Sequence, residues 1–183
     1  MVNVLVPLAE GFEDLEAITI IDLLRRAGFE VITAGLNDNP VRASRKNVLI
    51  PDTSIDRIMD DNFDLIVLPG GLPGADNLRD NKQVQDLIKK QHKSGKTVGA
   101  ICAAPKALAS ADILDGKTIT CYPGALDQVD TSKFSISGNN VEVDGNIVTS
   151  RGPGTAIDFS LCLIELLGDQ KLKETVETQR VRE

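Results

Sequence analysis

The sequence predicts an α/β fold: a doubly wound, mostly parallel sheet with helices on both faces. Two observations carry that prediction. Short apolar runs alternate along the chain with longer segments of helical period, the rhythm of strands joined by helical crossovers. The apolar runs are also continuous, as in Val2–Leu8 and Leu65–Leu68. Strands covered on one face alternate apolar with polar, whereas strands covered on both do not. Length agrees: 183 residues, 42% hydrophobic and 26% charged, describe one domain spanning 1–183 that folds without disulfide or metal staples.

The elements read in order as follows. Val2–Leu8 is a strand, and Glu13–Ala27 a helix stopped by Gly28. Glu30–Ala34 is a second strand. Val41–Ala43 and Val48–Pro51 are the arms of a short hairpin at a sheet edge, and Ser54 N-caps a short helix to Asp60. Leu65–Leu68 is a strand broken by Pro69-Gly70-Gly71. A charged amphipathic helix follows over Lys82–Lys93, then a strand over Thr97–Ile101 and a helix over Ala103–Ala109. Thr118–Cys121, Val141–Asp144 and Ile147–Ser150 are strands; Gly154–Leu167 and Gln170–Thr178 are the last helices.

Composition excludes several functions. Lys plus Arg is 20 and Asp plus Glu is 27, a net charge of −7, which repels nucleic-acid phosphates and anionic membranes. Aromatics are 3% with no Trp, so there is no base-stacking platform. A single histidine, His92 on the charged end of a helix, leaves no multi-histidine metal site and little room for a Ser–His–Asp triad. Neither Gly-x-Gly-x-x-Gly nor Gly-x4-Gly-Lys-[Ser/Thr] occurs, so the dinucleotide and ATP fingerprints are absent and no cofactor or metal is expected. Three widely spaced cysteines, Cys102, Cys121 and Cys162, form no disulfide framework and fit a reducing, cytoplasmic setting. The N-terminus reads as a strand rather than a signal peptide, and no run approaches the ~20 apolar residues of a membrane span.

In this architecture ligands sit at the carboxyl ends of the strands, so residues just after strands are the candidates. Cys102 follows Val98–Ile101 and precedes a helix with Pro105 in its first turn. A thiol at a helix N-terminus has its thiolate stabilised and its pKa lowered; the alternative is a buried packing cysteine. Glu16 heads an apolar row through Ile20, Leu23 and Ala27, where desolvation would keep it protonated for hydrogen bonding or proton transfer. The alternative is a first-turn carboxylate serving the helix dipole, like Glu13 and Asp14. Gly70-Gly71 could turn successive N–H groups toward an anion, or be a plain turn. Ser150-Arg151-Gly152-Pro153-Gly154-Thr155 could supply donors or close backbone approach, or be a connection with Thr155 as N-cap. Cys121 ends a strand and could face the same place. Cys162, in an apolar helix, reads as packing. Asp22 and Arg26 form an i,i+4 pair.

Four segments, Gly11-Phe12-Glu13-Asp14-Leu15-Glu16-Ala17, Leu68-Pro69-Gly70-Gly71, Ala100-Ile101-Cys102-Ala103-Ala104-Pro105 and Ser150-Arg151-Gly152-Pro153-Gly154-Thr155, together resemble the DJ-1/ThiJ/PfpI superfamily, most closely its DJ-1 and YajL branch. The resemblance runs over roughly residues 2–180. It implies a flavodoxin-like three-layer sandwich and a homodimer. It implies that Cys102 is a reactive cysteine and Glu16 a protonated glutamate bonded to its thiolate. It implies that Gly70, Gly71 and Ala103 offer backbone N–H groups near the sulfur. Arg45 matches an arginine reaching the pocket across the dimer interface, Arg26 another basic residue near that interface, and Gly152 and Pro153 line the site. Tyr122, in Cys121-Tyr122-Pro123, stands where several relatives carry histidine. A phenol, titrating near pH ~10, does not accept protons at pH 7 as imidazole does. Ala103 stands where the superfamily's peptidases place a histidine, so peptidase activity is not expected.

The implied function is a cofactor-independent glyoxalase or deglycase, turning methylglyoxal to lactate or repairing early methylglyoxal adducts, with Cys102 as nucleophile and Glu16 as proton relay. The alternative is a sensor or chaperone of oxidative stress whose Cys102 oxidises to sulfinate. A third reading, the fold without catalysis, leaves Cys102 an ordinary thiol.

Overall fold

In the computed structural model, which describes residues 1–181, β1 (Asn3–Leu8) is nearly inaccessible along its length, as its unbroken apolar sequence requires. Residues 182–183, the end of the expected domain, lie outside the described residues. Along β1, Val4, Val6 and Leu8 enter one core and Leu5 the other, so one strand feeds both layers. The seven-stranded sheet runs β10-β11-β7-β6-β1-β2-β5. Its members are β2 (Glu30–Gly35), β5 (Thr53–Ser54), β6 (Leu65–Leu68), β7 (Thr97–Ile101), β10 (Val141–Asp144) and β11 (Ile147–Ser150). Every pairing is parallel except β10 with β11. The expected doubly wound, mostly parallel, flavodoxin-like architecture is therefore present.

One layer holds α1 (Asp14–Arg26), α5 (Ala156–Leu167) and α6 (Gln170–Gln179). Its core joins Ile20 and Leu24 of α1 to Phe159 and Leu163 of α5. The other layer holds α2 (Gly74–Asp80), α3 (Lys82–Lys93) and α4 (Pro105–Ser110), packed through Leu78, Ile88 and Leu108. Complete burial of a leucine or isoleucine side chain contributes roughly 1.5–3 kcal/mol, so these two apolar layers dominate the stability. Among the described residues no helix is long and apolar enough to cross a membrane.

Local differences from the sequence reading have physical causes. The hairpin arms, β3 (Val41–Arg42) and β4 (Val48–Leu49), form their own antiparallel ribbon instead of joining the sheet edge. That edge is taken by β5, which had no apolar signal. Asp52 fastens it by accepting from Thr33 N–H at 2.8 Å and Thr33 Oγ1 at 2.7 Å. Ser54 precedes a single 3-10 turn, Ile55–Arg57, and its side chain makes no capping bond. The polar seven-residue α2 carries too little pattern to be seen in sequence; Lys106 secures it to α4 through Asp76 at 2.8 Å. The strand read as reaching Cys121 stops at Ile119 as β8 (Thr118–Ile119), which pairs with the unpredicted β9 (Ser135–Ile136). α4 begins at Pro105, not Ala103, because the turn through Cys102 takes up the intervening residues. Pro153–Thr155 is a 3-10 turn before α5, and the Thr155 hydroxyl turns back to Ser150 Oγ at 2.7 Å instead of capping α5.

Candidate active site

Four adjacent strands, β11, β7, β6 and β1, end at one edge of the sheet and deliver Gly152, Cys102, Gly70 and Glu16. This is where the chain reverses its winding, from β2 on one side of β1 to β6 on the other, the position at which doubly wound sheets open a crevice.

Cys102 is the first residue beyond β7 and has φ 64°, in the left-handed region. A β-carbon there is strained by about 1–3 kcal/mol, so neighbours must hold it. They do so on both sides: Cys102 N–H donates to Ser150 O at 2.9 Å, and Tyr122 N–H donates to Cys102 O at 2.9 Å. The elbow leaves the residue 8% exposed, with the amides of Gly71 and Ala103 hydrogen-bonded to the sulfur.

Glu16 has no exposed surface. It lies in the first turn of α1, above the buried Ile20 and Leu23 of the apolar row. Its Oε2 accepts from Gly70 N–H at 2.8 Å. Its Oε1 has no hydrogen-bond partner, and the carboxyl as a whole interacts with the Cys102 thiol. Burial, opposed by the bonds from Cys102 and Gly70, raises its pKa to about 7. The same burial, with the facing Glu16 carboxylate, pushes the Cys102 thiol up to about 12 against the pull of the Gly71 and Ala103 amides.

That corrects the expectation of a lowered thiol pKa. Two amides at the start of a six-residue helix do not outweigh burial and an adjacent carboxylate. Near neutrality the sulfur keeps its proton and Glu16 is close to half-protonated, and a thiolate arises when the thiol proton passes to the Glu16 carboxylate. Gly70 also differs from expectation, since its N–H is committed to Glu16 and not to the sulfur. Its lack of a side chain is a packing requirement: a Cβ there would lie 2.7 Å from Cys102 Cβ and 2.8 Å from Glu16 Oε2.

A buried thiol coupled to a buried carboxyl, with backbone donors on the sulfur, can carry nucleophilic attack and proton transfer in one step. The DJ-1/PfpI family model matches residues 2–166. The chain belongs to the DJ-1/PfpI family. Drosophila melanogaster protein dj-1beta is 42% identical over 177 residues, covering 96% of this chain and 95% of that protein. Its crystal structure superposes with a TM-score of 0.95 at 39% identity, covering 100% of this chain and 98% of that one. Oxidized Toxoplasma gondii DJ-1 superposes with a TM-score of 0.92 at 38% identity, covering 99% and 98%. Caenorhabditis elegans glutathione-independent glyoxalase DJR-1.2 is 34% identical over 158 residues, covering 86% of this chain and 84% of that protein.

Within this DJ-1/PfpI fold the remaining candidates divide. The Tyr122 ring, half exposed, lies on Gly152, where a Cβ would stand 3.3 Å from ring carbon Cδ2. Pro153 follows at the start of the 3-10 turn. Arg45 is exposed on the β3–β4 turn, but that turn is tied to the start of α1 through Asp14. Arg26 is ten residues beyond Glu16 on α1, about 15 Å along the axis, and pairs with Asp22 at 2.7 Å. One chain alone does not bring Arg26 to the sulfur. Cys121 lines a cavity of about 310 Å³ with Asp127 and Arg151, and that lining does not include Cys102. Two residues read only as dipole carboxylates do more. Glu13 accepts from Glu16 N–H at 2.8 Å as the N-cap of α1. Asp14 accepts from Arg45 N–H at 2.8 Å and Asn47 Nδ2 at 2.6 Å. The Glu13-x-x-Glu16 spacing, cap to third helical position, was the available signal for the first; nothing local signals the second.

Proposed function

We propose that this chain is a cofactor-independent enzyme acting on 2-oxoaldehydes, of glyoxalase or deglycase type. The observation that carries the reading is the buried Cys102 thiol hydrogen-bonded to the buried Glu16 carboxyl, which titrates at about 7. The C. elegans relative, named a glutathione-independent glyoxalase, supports it.

In this reading the Cys102 sulfur attacks the aldehyde carbon of methylglyoxal as its proton passes to Glu16 Oε1. The amides of Gly71 and Ala103 offset the negative charge at the centre. Glu16 then gives that proton to the alkoxide, which completes the hemithioacetal and restores the carboxylate. The carboxylate removes the C1 proton to give an enediolate, and Glu16 returns this proton to C2 while the C1 hydroxyl proton passes to the C2 oxygen. The product is a lactoyl thioester, and water cleaves it to lactate and the free thiol. On an early methylglyoxal adduct of an amine, the same attack expels the amine. A carboxyl with a pKa of about 7 is matched to giving and taking protons in turn.

The family resemblance also points to a homodimer in the cytoplasm. Leu15 and Ile18 of α1 and Val48 and Ile50 of the hairpin are 48–81% exposed. They occupy elements joined through Asp14, an apolar face that a second copy would cover. Such a copy is the route by which Arg45 and Arg26 would approach a pocket. Sensing of oxidative stress is the second reading, since the Gly71 and Ala103 amides and a protonated Glu16 would also hold a Cys102 sulfinate.

The deciding experiment is glutathione-free methylglyoxal turnover with lactate measured directly, for wild type, Cys102→Ser and Glu16→Gln. Multiple turnovers that vanish in both variants are expected. No lactate from the wild type would overturn the enzyme reading. Selective +32 Da oxidation of Cys102 by mild peroxide would then favour the sensor.

A further inference from the structure

We propose that Glu13 is a positioning residue for the Glu16–Cys102 pair: it fixes Gly70 and Glu16 through its own backbone and side chain, and its charge biases the shared proton onto Glu16. The inference rests on the reading of that pair as the reacting centre.

The geometry is a closed circuit of three residues. Glu13 N–H donates to Gly70 O at 2.9 Å. Gly70 N–H donates to Glu16 Oε2 at 2.8 Å. Glu16 N–H donates to Glu13 Oε2 at 2.8 Å. Loss of any member breaks two of the three bonds. The circuit leaves no slack beside it, because a Cβ on Gly71 would meet Glu13 N at 2.4 Å and Gly11 O at 2.6 Å. The peptide that delivers the Gly71 amide to the sulfur is therefore held by the residue that caps the helix carrying Glu16.

A neutral serine or asparagine is an equally good N-cap. The charge of Glu13 is thus not needed for capping, and it faces a carboxyl that must stay protonated for a thiolate to exist. Its repulsion disfavours the Glu16 carboxylate. The charge acting on Glu16 is that of Glu13 from its own helix, while Cys102, from the elbow after β7, acts through a hydrogen bond. Asp14, two residues away, is occupied by Arg45 N–H and Asn47. The loop after β6 brings only amides.

The test measures the rate of Cys102 alkylation by iodoacetamide against pH, read by peptide mass spectrometry, beside the pH profile of lactate formation. Glu13→Gln keeps an oxygen acceptor and removes the charge. It is expected to lower the alkylation midpoint by about 0.5 unit and the plateau about threefold, the effect of a unit charge several ångströms away in a wet environment. Glu13→Ser is expected to do the same. A merely structural cap would leave the midpoint of both variants at the wild-type value, and that result would overturn the proposal. So would failure of both neutral-cap variants to fold, which would make the role structural. If the wild type forms no lactate, the enzyme reading falls while the alkylation midpoints still decide the role of Glu13.

Discussion

Gly70 and Glu16 are joined by one hydrogen bond, from the glycine N–H to Oε2 at 2.8 Å, and that bond decides where the Glu16 proton sits. An oxygen already accepting from an amide is the poorer place for a carboxylic proton. The neutral acid therefore carries it on Oε1, the oxygen that accepts from no other group. Sulfur and carboxyl then exchange a proton without either side chain rotating.

Glu16→Gln tests this directly. The amide oxygen can still accept from Gly70, but the side chain can no longer take a proton. Turnover is expected to fall by at least about 100-fold, the usual effect of removing a general base. The thiol should move down from about 12, because the carboxylate that raises it is gone. An unchanged pH dependence of Cys102 alkylation would contradict the pairing.

The same variant has a stability signature. The folded pKa of Glu16, about 7, lies above its ordinary 4.5, so between those values the native state binds more protons than the unfolded chain. Stability is lost as pH rises through that window, and the whole cost is present above it. At 1.36 kcal/mol per unit the cost is of order 3 kcal/mol. Glu16→Gln should therefore be more stable than wild type at pH 8 and lose that advantage near pH 4.5. Urea unfolding at the two values measures it, and a constant difference would contradict the burial argument.

Gly70→Ala should be among the more damaging small substitutions in the chain. Its methyl group would lie within 3 Å of Cys102 Cβ, Glu16 Oε2 and Ile101 O, and two of those three are groups of the reacting pair. Overpacking of this kind costs about 1–3 kcal/mol, and relief requires the pair to separate. Activity should fall further than stability. A crystal structure of the variant with the Glu16–Cys102 contact intact would contradict this account.

How much of this was legible in the sequence follows from what each feature depends on. The parallel strands were visible because Val4–Leu8 and Leu65–Leu68 are apolar on both faces. Cys102 and Glu16 were visible because each follows a strand, and the resemblance placed them together. β5 was not, since two residues, Thr53 and Ser54, are held by the Asp52–Thr33 bonds rather than by apolar burial. The direction of the Cys102 shift was missed for a related reason. A helix terminus is readable from local sequence, whereas the desolvation opposing it is supplied by three other strands.

Asp14 is another feature that only the fold reveals. Burial alone would push its carboxyl up, but hydrogen bonds from Arg45 N–H and from Asn47 hold it below its ordinary 3.8. A depressed carboxylate contributes stability above the unfolded pKa and loses it as pH falls through the folded one. The clamp on the hairpin should thus weaken only below pH 3.8. Asp14→Ala should cost about 1–3 kcal/mol at pH 7, as removal of a buried multiple acceptor does. It should also speed hydrogen exchange at Arg45 and Asn47. Exchange that accelerates evenly across α1 instead would mean that Asp14 supports the helix and not the hairpin.

Tyr122 is tied to the nucleophile by its backbone, N–H to Cys102 O at 2.9 Å, while its ring rests on Gly152. If proton transfer belongs to Glu16, the phenol oxygen has no part in it. Tyr122→Phe should then keep turnover within about twofold and leave the pH profile in place, whereas losing a true proton-transfer group costs about 100-fold or more. Gly152→Ala presses a methyl group toward the ring at 3.3 Å, a gap that closes only if the ring shifts by a few tenths of an ångström. The ring borders the site without touching the proton path, so that variant should raise KM more than it lowers kcat. A displaced pH profile in Tyr122→Phe would assign proton transfer to the phenol instead.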